Sequence, residues 1–83
     1  MLAIAYPHYQ GVSSDPDICV QLGGRIRDLR QKRGWTQFEM AERLGIDRSY
    51  LAEVETGKIE ICIRNLALIA EAFGLKAWQL LKS

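Results

Sequence analysis

The stretch from Thr36 to Gly57, reading TQFEMAERLGIDRSYLAEVETG, constrains this chain more tightly than any other. Thr36 followed three residues later by Glu39 is a capping box. Each side chain takes the other's orphan backbone N–H, so a helix starts there. Met40, Ala41 and Leu44 give that helix an apolar stripe. Gly45 is a natural left-handed cap at its end. Asp47 caps the next helix, which carries Tyr50, Leu51 and Val54 on its periodic positions and closes at Gly57. Ala41 is small where the first of these helices must approach the second. Gly45 supplies the positive φ of a tight turn. Ile46, Leu51 and Val54 wedge the second helix across the first.

Two short helices fixed at roughly 90–120°, with the outer side of the second left free, make a helix-turn-helix. The flanking sequence extends the helical pattern. Asp15 caps a helix with Pro16 at its first position, and Ile18, Leu22, Ile26 and Leu29 follow on one face. Gly23 and Gly24 weaken its middle by about 1 kcal/mol each relative to alanine. Arg25, Arg27, Arg30, Lys32 and Arg33 crowd its second half, where cations suit the helix dipole, and Gly34 ends it. A fourth helix runs from about Ile63 to Phe73, with Leu66, Ile69, Ala70 and Phe73 inward. Cys62 stands where a Ser or Thr cap is expected, and Gly74 ends the helix. Ala77, Trp78, Leu80 and Leu81 form a last, very apolar turn or two. No β-period is present. The expected fold is all-α, a compact bundle of about five helices.

Residues 1–17 form an N-terminal arm distinct from the helix-turn-helix domain of residues 18–83. The arm carries no Lys or Arg and holds Pro7, Gly11, Ser13, Ser14 and Pro16. It is either a loosely held tail or a segment that Tyr6 and Tyr9 pack onto the body or a partner.

With 83 residues, 48% of them hydrophobic and 25% charged, the chain has the balance of one small globular domain. Its net charge of +1 decides nothing about a nucleic-acid partner, so only the placement of charges can. Cys19, Cys62 and His8 supply three metal ligands at most, short of a zinc site, and the cysteines read as reduced, partly buried thiols. No Ser/His/Asp or Cys/His grouping exists, and Gly23-Gly24 lacks the lysine and spacing of a phosphate-binding loop. No enzyme, no metal and no small-molecule cofactor are therefore expected. Met1 to Gly11 lacks the pattern of a signal peptide, and no run reaches the ~18 apolar residues of a membrane span. A cytoplasmic protein is the expectation.

From about Val20 to Leu81 the sequence resembles the Cro/C1-type, or XRE, helix-turn-helix family of bacterial and phage repressors. The residues that carry the resemblance are IRDLRQKRGWTQFEMAERLGIDRSYLAEVETGK and IRNLALIAEAFGL. Among its short members are the controller proteins of restriction–modification systems, and DRSYL at the head of the third helix is similar to theirs. The resemblance implies a lambda repressor-like domain whose third helix lies in the major groove of double-stranded DNA. It implies base reading by Arg48, Ser49, Tyr50 and Glu53. Arg48 suits guanine O6 and N7, and Glu53 suits a cytosine amino group. Glu53 can equally pair with a neighbouring cation or repel wrong sequences. Tyr50 can equally serve packing or grip a phosphate. Gln37, Thr56, Lys58 and Arg64 match positions that hold the DNA backbone. The Lys58-Ile59-Glu60-Ile61 loop is less basic than in many relatives, which implies modest, salt-dependent backbone affinity. Arg30 and Glu55 match a pair that bridges the first and third helices.

Phe38 falls off its helix's core stripe, so it is either exposed, covering the protein–DNA boundary, or packed, and packing is the expected role for so large an aromatic. Phe73, Trp78, Leu80 and Leu81 are expected at a homodimer interface built through the last two helices, since helix-turn-helix proteins commonly bind paired half-sites. The expected function is that of a dimeric transcriptional regulator on a palindromic operator. The alternative is a protein-interaction module, antitoxin-like, for which DNA is secondary. Near-neutral charge, Glu53, Glu60 and the N-terminal arm favour that alternative.

Overall fold

Each helix begins and ends where local chemistry leaves the backbone no better choice. The computed structural model describes residues 18–81, which form α1 (Ile18–Lys32), α2 (Gln37–Leu44), α3 (Arg48–Thr56), α4 (Ile63–Ala72) and α5 (Ala77–Leu81). No strand occurs among the described residues. The expected Asp15 cap, Pro16 and the arm of residues 1–17 lie outside them.

At the start of α2 both halves of the capping box are made. The Glu39 N–H donates to Thr36 Oγ1 at 3.0 Å, and the Thr36 N–H donates to Glu39 Oε1 at 2.9 Å. At its end Gly45 adopts φ 71°, and the Ile46 N–H reaches back to the Ala41 carbonyl at 3.0 Å. This turn brings the chain into α3 after only three residues. Asp47 occupies the N-cap of α3 with extended backbone, but its side chain makes no capping hydrogen bond, unlike the expectation. Cys62 likewise leaves the start of α4 without a side-chain cap. Phe73 stands just past α4 as its C-cap rather than within it.

The core is formed by Ile26, Met40, Ala41, Leu51, Val54, Leu66, Ile69, Ala70, Phe73 and Leu80, with all five helices contributing. Ile18 is exposed, so the apolar stripe of α1 meets the core only from Leu22 onward. The main packing partner of α1 is α3. Their crossing depends on Gly23, because a Cβ there would lie 2.5 Å from the Glu55 carbonyl oxygen and closer still to that of Val54. The two backbones thus touch where the sequence had indicated only a weak point in α1. Gly24, one residue on, faces open space. At the far end, Arg25 Nε donates to the Leu80 carbonyl at 3.1 Å and Nη2 to that of Gln79 at 3.3 Å, tying α5 to α1.

Candidate nucleic-acid interface

The orientation of α3 rests on a single buried carboxylate. Glu55 is 3% exposed and Arg30 is 8% exposed. Arg30 Nε donates to Glu55 Oε2 at 2.7 Å and Nη2 donates to Oε1 at 3.0 Å. This is the planar, two-pronged geometry in which a guanidinium holds a carboxylate most firmly. The third arginine nitrogen, Nη1, donates to the Trp35 carbonyl at 2.8 Å. Gln37 Nε2 completes the cluster with a 3.0 Å bond to Glu55 Oε1. The Arg30–Glu55 pair therefore joins α1, the α1–α2 turn, the first residue of α2 and the last turn of α3. No buried side-chain nitrogen or oxygen lacks a partner among the described residues.

Inward packing of Leu51, Val54 and Glu55 turns the opposite side of α3 to solvent. Arg48, Ser49, Glu53 and Thr56 are exposed there, and Ala52 is half-buried at the flank. Tyr50 is also half-buried, and its hydroxyl oxygen accepts from Asn65 Nδ2 at 2.9 Å, so its ring lies between α3 and α4. Thr56 donates its hydroxyl to the Ala52 and Glu53 carbonyls at 3.1 and 3.2 Å, leaving the oxygen free to accept. Lys58, just past α3, and Arg64, in the first turn of α4, are both exposed. Gln37 stands at the start of α2, but its amide nitrogen is turned inward onto Glu55. The sequence offered no sign of that bond, because it joins residues 18 apart through the tertiary fold.

Several expectations need correction. Phe38 does not pack: it is 57% exposed at the start of α2. Phe73 and Leu80 are unavailable to a second chain, since both are buried in this chain's own core. Phe73 stacks on Trp35 with ring centroids 5.8 Å apart. Trp78 and Leu81 remain exposed, and Leu81 shares an open apolar groove with Ile18, Leu22, Ile61 and Ile63. Cys19 is half-buried, whereas Cys62 is exposed rather than partly buried, and neither forms a disulfide. Among the described residues no group of three or more His, Cys, Asp or Glu could hold a metal, and no helix is long and apolar enough to cross a membrane.

Comparison with known proteins gives this geometry a family. The helix-turn-helix model HTH_3 matches residues 26–77. A hypothetical transcription factor of Neisseria meningitidis serogroup B is 36% identical over 67 residues, covering 81% of this chain and 63% of the factor. The crystal structure of the hypothetical transcription factor NHTF from Neisseria superposes with a TM-score of 0.75 at 35% identity, covering 82% of this chain and 78% of that one. The crystal structure of the restriction-modification controller protein C.AhdI from Aeromonas hydrophila superposes with a TM-score of 0.70 at 34% identity, covering 75% of this chain and 94% of that one. The immunity repressor of Bacillus phage phi105 is 34% identical over 55 residues, which is 66% of this chain and 38% of the repressor. The chain thus spans less than two thirds of the Neisseria factor and of the phage repressor. With the family model spanning the ion pair, the glycine turn and α3 together, the chain belongs to the Cro/C1-type (XRE) helix-turn-helix family.

Proposed function

We propose that this protein is a sequence-specific DNA-binding transcriptional regulator, acting as a homodimer on an inverted-repeat operator with α3 in the major groove. The observation that carries the reading is the uncovered outer side of α3. It presents Arg48, Ser49 and Glu53 to solvent while Leu51, Val54 and Glu55 anchor the opposite side. An exposed helix of this width suits the roughly 12 Å major groove. Arg48 reads guanine, Ser49 and Glu53 meet neighbouring base edges, and Tyr50, engaged by Asn65 between α3 and α4, serves packing. The N-terminus of α2, with Thr56, Lys58 and Arg64, holds phosphates on either side. The names of the related repressor and controller proteins support a regulatory role.

The open apolar groove lined by Ile18, Ile63 and Leu81, with the exposed Trp78 of α5, is where a second copy seats, in place of the buried Phe73 and Leu80. A binding titration on duplexes enriched from random DNA tests the base-reading assignment. Arg48→Ala should lose discrimination at one base pair, worth about 1–3 kcal/mol, while keeping the wild-type salt dependence of the remaining affinity. Lys58→Ala should weaken every duplex alike and reduce the salt slope by about 1. Equal losses on all duplexes for both variants would refute the assigned roles.

A further inference from the structure

Gln37 occupies a position that suits a grip on DNA, yet its amide nitrogen is spent inside the molecule. The half-buried side chain leaves the first turn of α2 and donates to Glu55 Oε1 at 3.0 Å. That same oxygen accepts from Arg30 Nη2 at 3.0 Å. Glu55 lies in the last turn of α3, so its carboxylate fixes how that helix is rotated against the rest of the body. Arg30 holds the carboxylate from α1, and Gln37 is the only donor that reaches it from α2 among the bonds described. Without Gln37, the tie between the two helices of the helix-turn-helix falls to apolar packing, which is less directional than a hydrogen bond.

Building on the proposed DNA-binding role, we propose that Gln37 is a positioning residue for operator discrimination. It acts through Glu55 on the orientation of α3 and not by holding a phosphate with its own amide nitrogen. Base reading needs atoms of α3 placed to within hydrogen-bond tolerance of base edges, whereas backbone affinity depends on charge and tolerates small rotations. The two roles therefore leave different marks. A phosphate grip contributes to every duplex equally. An orienting bond contributes only where bases are read.

The test replaces Gln37 with methionine, which keeps the length of the side chain and the helix propensity but removes the amide. The wild-type 83-residue chain and Gln37→Met are titrated at one salt concentration against a duplex selected from random DNA and against an unrelated duplex. Circular dichroism and melting follow the fold. The expected result is a loss of about tenfold on the selected duplex, the scale of one hydrogen bond to a charged group, with a loss of less than about twofold on the unrelated one. Equal losses on both duplexes, or no loss on either, overturn the proposal while leaving the DNA-binding reading intact. A wild-type protein that prefers no duplex overturns both. Should Gln37→Met fail to fold, Gln37→Ala repeats the comparison. If neither variant folds, the amide is a requirement of the fold and the proposal is overturned.

Discussion

Arg30 and Glu55 show how much of this fold depends on charges placed where water does not reach. A buried ion pair has no guaranteed net benefit, because both groups give up hydration. Loss of one partner is different, since the other charge is then stranded. Arg30→Ala leaves Glu55 with only Gln37, and the protein should be destabilised by about 3–5 kcal/mol in chemical denaturation. A midpoint unchanged from wild type would mean that water replaces the guanidinium at no cost. Both members of the pair were legible in the sequence through the family resemblance. Gln37 as a third partner was not, because no local periodicity relates a helix N-terminus to a residue in the next helix. Phe38 was misread for a related reason. Aromatic size argues for burial, but its position beside Gln37 on the first turn of α2 turns it outward.

At the scale of the element, caps and stripes carried most of the information. The Thr36–Glu39 box, the Gly45 turn and the inward positions of α4 are all local patterns, and local patterns can be read from sequence. What could not be read is where one helix touches another. Gly23 and Gly24 look identical as breaks in α1, yet only Gly23 faces the α3 backbone. Two substitutions separate them. Gly23→Ala should lower stability by about 1–3 kcal/mol, because the intruding methyl meets carbonyl oxygens that cannot move aside cheaply. Gly24→Ala should raise it by about 0.5–1 kcal/mol, because the methyl enters open space and the helix gains propensity. Thermal melts of the two variants give the sign directly, and shifts in the same direction would contradict the helix crossing described above. Phe73 and Leu80 teach the same lesson about apolar ends. Leu80 is buried where α5 folds back on α1, and Phe73, at the end of α4, is buried where it stacks on Trp35, tertiary events that exclude both from an outer face.

For the whole molecule, the two surfaces that matter point to different partners. One is the outer side of α3 with Lys58 and Arg64 beside it. The other is the open apolar groove lined by Ile18, Ile63 and Leu81, with Trp78 of the same helix as Leu81 60% exposed. A second copy seated on the latter should make the sedimentation mass rise with protein concentration toward twice 9.4 kDa, and Trp78→Ala should shift that rise to higher concentration. A mass that stays at one chain throughout would leave the apolar surface without a partner copy. The most direct measurement is selection of bound duplexes from random DNA at low ionic strength. The account predicts enrichment of two inverted half-sites with centres about 34–36 Å apart, one helical turn. A bound pool with the same base composition as the starting pool would contradict it.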